Sequence, residues 1–265
     1  MNTTPFTKSA TYYDLLYQKK NYEEETKKID SIIRMRKVPS KKMLDLGCGT
    51  GEHAILFTNL GYSVTGVDLS TKMLSIAKNK TIELNTPINF KRGNIVSFTA
   101  SQPFGVAVSL FHVLSYLLTN TDISTFFSST YQNLQPGGLF IFDCWYGPGV
   151  LQNPPTNQTK TGFSNNYTYI RTKTPTHKPK QHIVRVMHNM TITFPHHTVR
   201  YKELHCLRYF FIKEIKQFLK RNNFKLLSWG DLNNNLTHPK QGDWNVLFVA
   251  QKPSTKKGTK KLSGR

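Results

Sequence analysis

The order of apolar runs and chain breakers between Met43 and Asp68 constrains this chain more than any other stretch. Met43-Leu44-Asp45-Leu46 is an apolar run of strand length that stops at Gly47-Cys48-Gly49-Thr50-Gly51, and a helix-like segment follows over 52–60. A second apolar run, 62–67, ends in Asp68, followed by Leu69-Ser70. Glycines in the first turn permit positive φ and let a ligand approach the backbone, while the amides at the helix start point outward. An acid at the tip of the second strand stands where it can accept hydrogen bonds from a ribose diol. A bare G-x-G is common in tight turns. Strand, glycine turn, helix, strand and terminal acid in that order make a nucleoside-bearing ligand the expectation.

Apolar runs and helical spacing keep alternating on both sides of this unit. Tyr12-Tyr13-Asp14-Leu15-Leu16-Tyr17 precedes a helix expected over 21–37, with Ile29, Ile32 and Ile33 at helical spacing and Glu23-Glu24-Glu25 in its first turn. Ser70 is a good N-cap for a helix over 71–79, whose Met73, Leu74 and Ala77 share one face. Strands are expected at 88–91, leading to Gly93-Asn94-Ile95, and at 106–110, leading into Phe111-His112-Val113-Leu114-Ser115-Tyr116. A helix over 122–134 stops at Pro136-Gly137-Gly138, ahead of a fifth strand at 139–143. Five β–loop–α units with short crossovers imply an α/β fold with a doubly wound, mostly parallel sheet.

The texture changes at Gly147. From there to about Lys180, Pro, Asn, Thr, Lys and Gly dominate and the helical period disappears. Residues 183–194 and 199–211 then alternate like strands around a turn at Pro195-His196-His197. An antiparallel β insertion at about 148–210, placed over the substrate end of the sheet, is the expectation. A helix at 211–222 and strands at 225–229 and 244–251 complete a single domain over 1–252. Residues 253–265 carry Lys256, Lys257, Lys260 and Lys261 among Ser, Thr and Gly, the composition of a disordered basic tail.

Composition narrows the setting. At 265 residues the chain suits one α/β domain with an insertion. Its three cysteines, Cys48, Cys144 and Cys206, lack metal spacing, so reduced thiols and no metal site are expected. No secretory leader pattern and no apolar run of membrane-spanning length is found, which points to a soluble cytoplasmic protein. The net charge of +21 is uneven: residues 1–150 hold 15 basic and 11 acidic side chains, residues 151–265 hold 21 and 4. A field of that kind attracts polyanions or an anionic substrate.

On the motifs above, the chain resembles the class I S-adenosylmethionine (SAM)-dependent methyltransferases. The dinucleotide fingerprint is G-x-G-x-x-G, whereas Gly47, Gly49 and Gly51 give G-x-G-x-G, similar to the first motif of that family. The resemblance implies SAM as cofactor and a Rossmann-like, seven-stranded sheet whose last strand is reversed. It places Asp45, Gly47, Cys48 and Gly49 around the amino-acid end of SAM, Asp68 and Leu69 at the ribose, and Met73, Asn94 and Ile95 at the adenine, with Leu110 closing the floor. Asn94 stands where the family usually has an acid; its amide oxygen can still accept.

Further pieces resemble a narrower group, the small-molecule N-methyltransferases acting on nucleotide-linked amino sugars. They are Tyr13-Asp14-Leu15-Leu16-Tyr17, the Phe111–Tyr116 segment, Pro136-Gly137-Gly138 through Asp143-Cys144-Trp145-Tyr146, and Arg185-Val186-Met187-His188. The resemblance implies a small amine acceptor, anionic if nucleotide-linked. Tyr17 and Tyr116 would flank the transfer site and orient the acceptor or take its proton, with His112 as another candidate base. Tyr13 and Tyr22 would close over the methionine end of SAM. Phe111 and Trp145 offer apolar walls, and Arg185, His188 and Arg200 could meet a diphosphate. Asn153-Pro154-Pro155 lies beyond the fifth strand, out of place for the signature of amide and base N-methyltransferases. Two other readings remain open at this point: an RNA- or protein-directed methyltransferase docking through the basic half, and a SAM-binding protein without turnover.

Overall fold

In the computed structural model, which describes residues 5–164, 166–240 and 242–254, the two apolar runs around the glycine turn are neighbouring parallel strands. They are β1 (Lys42–Leu46) and β2 (Ser63–Asp68), joined through α3 (Glu52–Asn59). β3 (Asn89–Arg92), β4 (Phe104–Ser109), β5 (Leu134–Tyr146), β10 (Lys225–Gly230) and β11 (Asn245–Gln251) complete a sheet in the order β3-β2-β1-β4-β5-β11-β10. β11 runs antiparallel to β5, the reversed last strand expected.

Period-two burial on central strands supplies both faces of the core. Phe140 and Phe142 of β5 pack with α5 (Asn120–Asn133) and α7 (Ile212–Arg221) through Phe126, Phe127, Ile215 and Phe218. Leu139 and Ile141 face the opposite way, towards α2 (Tyr22–Arg34), α3 and α4 (Thr71–Glu83) through Ile29, Ile33, Phe57 and Leu74. Phe127 meets Phe126, Phe140, Phe142, Phe218 and Phe224 edge-on or stacked. Truncating such a ring to alanine costs about 3–5 kcal/mol.

Local signals explain most boundaries. Asn21 caps α2, its side chain accepting from the Glu24 amide at 3.0 Å, with Glu23, Glu24 and Glu25 in the positive first turn. Ser70 caps α4 as expected, its hydroxyl accepting from the Met73 amide at 3.3 Å. Several boundaries move: α2 stops at Arg34, before Pro39, α4 runs on to Glu83, and β5 runs from Leu134 to Tyr146, taking in the Pro136-Gly137-Gly138 expected to precede it. The link from β3 to β4 carries no helix, so the crossovers are fewer than five.

The region expected to be irregular is more ordered than its composition suggests. After α6 (Gly147–Gln152) come β6 (Gln158–Ser164) and β7 (Tyr167–Lys178), then β8 (Ile183–Thr193) and β9 (Thr198–Phe210), all antiparallel. β6 and β7 are the two strands that sequence reading misses. β6 lies at the sheet edge, where a polar, lysine-bearing strand resists further pairing. On β9 the odd residues from Tyr201 to Tyr209 are buried and the even residues between them are not. β9 pairs in parallel with the end of β5, Trp145 with Tyr209 and Tyr146 with Phe210. The β4–β5 pairing ends at Ser109 and Phe142. With β11 on the other edge of β5, β9 takes the edge that β4 vacates and carries the four-stranded insertion over the carboxyl end of β4. The basic stretch after Ser254 lies outside the described residues.

Candidate functional site

The carboxyl ends of β1, β2 and β4 meet around the glycine turn. Gly47 has φ 84°, and a Cβ there would lie 2.6 Å from the Val113 side chain, so no other residue fits without moving that wall. Gly49 also has positive φ, 53°, and nothing lies within 4 Å of its would-be Cβ. Its amide donates to Asp68 Oδ2 at 2.9 Å, and the Ser70 amide donates to Asp68 Oδ1 at 2.8 Å. Burial raises the Asp68 carboxyl, while the Ser70 and Gly49 amides favour its charged form. Each oxygen keeps a lone pair for a further donor.

One strand away, Asp45 is 2% exposed and its Oδ2 has no hydrogen-bond partner among the described residues. Burial pushes its carboxyl up to about 7, against the opposing pull of His53. A buried, unpartnered acid at the foot of a glycine turn is complementary to an ammonium group. The fit to SAM is good: Asp68 suits a diol, Asp45 suits the amino-acid ammonium, and the bare backbone at Gly49 leaves room for a ligand. Cys48 is buried between them, its thiol raised by burial and by Asp45 and Asp68. Met73 is buried in the first turn of α4, Leu110 is buried after β4, Ile95 is half-buried, and Leu69 is exposed. Asn94 is exposed and its Oδ1 already accepts from the Val96 amide at 3.0 Å, which leaves it one lone pair.

An amino-terminal segment lies across this turn. In α1 (Tyr13–Tyr17), Asp14 accepts from Thr50 Oγ1 at 2.6 Å and pairs with Lys80 at 2.7 Å. Tyr13 packs on Tyr17, and Tyr22 packs edge-on against His53. Lys20 lies 4.7 Å from the ring centres of both Tyr22 and Phe111. Glu25 holds Lys20 and His53 together; burial opposes its charge, but His53 and Lys20 outweigh this and keep its carboxyl at about 2. His53 has no counterpart in the sequence reading, because nothing in its helix distinguishes it from a core histidine.

After β4 the chain makes an uncommon turn. Phe111 and His112 are consecutive non-glycine residues with φ of 66° and 65°. Such strain costs about 1–3 kcal/mol per residue and persists only where neighbours enforce it. Asp143 on β5 enforces it: Oδ1 accepts from the His112 amide at 2.9 Å, and Oδ2 lies 3.0 Å from His112 Nδ1. The turn separates two hollows, and Phe111 and His112 line both. The smaller, about 230 Å³, is bounded by Lys20, Glu25, Asp143 and Asp231. The larger, about 250 Å³, has Tyr13, Tyr17, Tyr116 and Trp145 as walls and the β insertion as roof. The three residues put forward for chemistry, Tyr17, Tyr116 and His112, therefore share one cavity.

The roof corrects the expectation about cations. Arg185 and Arg200 are exposed on the outer face of the insertion, because strand alternation turns them away from the cavity. His188 does line it, together with Lys173, Gln158 and His205. Cross-strand register aligns Lys173 with Gln158 on one side and His188 on the other, and His188 with Glu203. Burial, then the charges of Arg171 and Lys160, bring the Lys173 ammonium down to about 8. Arg171 is 7% exposed with Nε unpartnered, its guanidinium 5.8 Å from the Tyr17 ring centre. Among the described residues Lys160, Arg171 and Lys173 form no ion pair. His188 is held neutral, down at about 3, by burial and by His205, Lys173 and Arg171. Lys173 and Arg171 escaped sequence reading because their strand did; Glu203 and His205 were missed as well, although the alternation expected over 199–211 puts both on one face.

Comparison with known proteins agrees with this layout. A family profile described as "Methyltransferase domain" matches residues 43–138, from β1 into β5. YqeM of Bacillus subtilis (strain 168), assigned to the methyltransferases without a stated substrate, is 30% identical over 251 residues, 93% of this chain and 96% of that protein. The dTDP-3-amino-3,4,6-trideoxy-alpha-D-glucopyranose N,N-dimethyltransferase of Streptomyces venezuelae is 30% identical over 141 residues, 52% of this chain and 58% of its own length. The crystal structure of an S-adenosylmethionine-dependent methyltransferase from Clostridium acetobutylicum ATCC 824 superposes with a TM-score of 0.78 at 21% identity, covering 95% of this chain and all of that one. A relative matched from end to end, and a cofactor half complementary to an adenosyl amino acid, lead to one conclusion: the chain belongs to the class I SAM-dependent methyltransferases.

Proposed function

We propose that the protein methylates the nitrogen of a small amine that also carries negative charge, a nucleotide-linked amino sugar being the leading form. The observation that carries this reading is the cavity itself: its tyrosine walls meet a roof that includes the half-buried Lys173, with the buried Arg171 two residues along the same strand, and neither cation has an acid of its own among the described residues. Buried unpaired cations are costly, and an anionic ligand relieves that cost. Charge on the acceptor thus suits the roof, while aromatic walls suit a sugar or comparable ring. The partial match to a dTDP-amino-sugar N,N-dimethyltransferase points the same way.

In this reading residues 1–252 form one catalytic unit with the β insertion as its acceptor lid. Asp68 accepts the ribose hydroxyls, with Leu69 beside them. Asp45 pairs with the amino-acid ammonium, which the turn at Gly47, Cys48 and Gly49 wraps. Met73, Asn94 and Ile95 border the adenine, Leu110 lies beneath, and Tyr13 and Tyr22 close the methionine end. When bound, SAM supplies a methyl group on a sulfonium. The chain's own task is alignment, which Tyr17 and Tyr116 perform on the acceptor while Asp143 fixes the turn that carries His112. A protonated amine cannot attack, so the acceptor nitrogen must also lose a proton.

The test is kinetic. With dTDP-3-amino-3,4,6-trideoxy-α-D-glucopyranose as acceptor, Tyr17→Phe and Tyr116→Phe are expected to lower kcat roughly tenfold each with SAM affinity retained. Wild-type kcat in both variants, or losses explained wholly by weaker SAM binding, would remove the tyrosines from the site.

A further inference from the structure

We propose that His205 and Glu203 stand behind Tyr116 as a proton relay that receives the proton lost by the acceptor nitrogen. The proposal rests on the reading of Tyr116 as an acceptor-site residue. Tyr116 Oη lies 2.9 Å from His205 Nδ1, and His205 Nε2 lies 3.5 Å from Glu203 Oε2. Glu203 is fully buried, and its two oxygens have separate tasks. Oε1 accepts the Lys8 and Ser9 amides at 2.6 and 3.0 Å, while Oε2 makes no hydrogen bond in this arrangement and has the imidazole 3.5 Å away. The amides therefore aim Oε2 at His205. A buried carboxylate beside Nε2 selects the Nε2–H tautomer, which leaves Nδ1 bare to accept from the phenol. Tyr116 then keeps its own lone pairs towards the cavity that both rings line.

The proton balance follows from that tautomer. One N–H bond of the acceptor ammonium breaks, its electron pair stays on nitrogen, and the proton bonds to Tyr116 Oη. The phenol's original proton passes to His205 Nδ1. Tyr116 ends neutral, the amine is free to attack, and the positive charge has moved onto the imidazole, opposite Glu203. The groups facing that imidazole are Glu203 on its own strand, His188 on β8 with ring centres 4.4 Å away, and Tyr116 and Phe6 from the core side, while Lys173 and Arg171 on β7 act on His188 one strand further out. Glu203, whose charge is opposed by burial but held by His205 and the Ser9 and Lys8 amides, stays ionised down to about 2. His112, the other candidate base, gives its backbone amide to Asp143 in the strained turn, and its ring Nδ1 lies 3.0 Å from Asp143 Oδ2.

Two measurements on the full chain test the relay, and the first needs no acceptor. Long-range proton–nitrogen NMR of the imidazoles, with His205 assigned through His205→Gln, is expected to show the Nε2–H tautomer, and Tyr116→Phe should shift Nδ1 towards a free acceptor. An Nδ1–H tautomer would overturn the proposal, because the phenol could not then donate. The second uses dTDP-3-amino-3,4,6-trideoxy-α-D-glucopyranose. His205→Gln keeps a polar contact but cannot store a proton: kcat at neutral pH should fall roughly tenfold, SAM affinity should hold, and the loss should shrink as pH rises and the amine deprotonates unaided. The double variant with Tyr116→Phe should lose no more than the worse single one, as members of one unit do. A wild-type pH profile in His205→Gln, or additive losses, would refute the relay. If wild-type protein leaves this acceptor unmethylated, the acceptor assignment fails while the NMR result still decides the relay.

Discussion

Replacing Asp143 with alanine separates strain from stability at the turn between the two hollows. The carboxylate accepts the His112 amide and borders its ring, and a hydrogen bond to a charged group contributes about 1.5–3 kcal/mol. Losing it also frees Phe111 and His112 from positive φ, which returns about 1–3 kcal/mol per residue if the turn relaxes fully. The two effects oppose each other and are of similar size, so the net change should be small, within about 2 kcal/mol of zero in either direction, or a shift in melting temperature of at most roughly 8 °C for a chain of this size. Function should suffer more. Relaxation swings Phe111 away from Tyr17, 5.0 Å off in ring centres, and merges the hollows that the turn divides. A displacement of about 1 Å at a reacting centre costs on the order of 10²-fold in rate. Scanning calorimetry, SAM titration and methyl-transfer kinetics on Asp143→Ala, with Asp143→Asn as the variant that keeps an acceptor oxygen, would read these separately. The reasoning fails if Asp143→Ala retains full kcat/KM, or if it unfolds with a loss above about 4 kcal/mol, beyond what one such bond supplies.

Three other outcomes follow from the site. Asp68→Ala should weaken SAM binding by about 1.5–3 kcal/mol for each ribose hydrogen bond lost, and unchanged calorimetric affinity in a folded variant would exclude the assignment. Asp45, raised by burial to about 7, stabilises the folded chain while protonated, and that contribution fades as pH climbs from its unfolded value near 4 through 7. SAM binding should accordingly release a proton below pH 7 and tighten as pH rises, whereas buffer-independent binding enthalpies at pH 6 would show no linkage. Lys173→Met should raise the KM of an anionic acceptor about tenfold or more while leaving or increasing thermal stability, because it removes a half-buried cation without an ion-pair partner among the described residues; a lower KM would mean that Lys173 repels the acceptor.

The cofactor half was legible because each of its demands has a local signature. A glycine turn and Ser70 before a helix are backbone requirements written in residue type, and the positive φ at Gly47 and Gly49 and the Ser70 cap bear them out, with Asp68 closing β2 beside them. The acceptor half was not, for a different reason. Lys173 and Arg171 sit on β7, whose outer face is solvated, so its sequence alternates too weakly to announce a strand. Arg185 and Arg200 drew attention by type alone, and a one-residue parity places both outside. The role of Asp143 depends on two residues in left-handed conformation that favour neither glycine nor asparagine, a strain visible only in φ. No helix among the described residues is long and apolar enough to cross a membrane, which agrees with the sequence on that point alone.

The measurement closest to the central claim is the position of the transferred methyl group. Purified protein would be incubated with methyl-labelled SAM and dTDP-3-amino-3,4,6-trideoxy-α-D-glucopyranose, and the product resolved by fragment mass spectrometry. The account predicts label on the amino nitrogen, formed at a rate insensitive to moderate salt and reduced in Tyr17→Phe and Lys173→Met. Label on a sugar hydroxyl, or an unmodified sugar beside RNA methylated in a steeply salt-dependent manner, would contradict it.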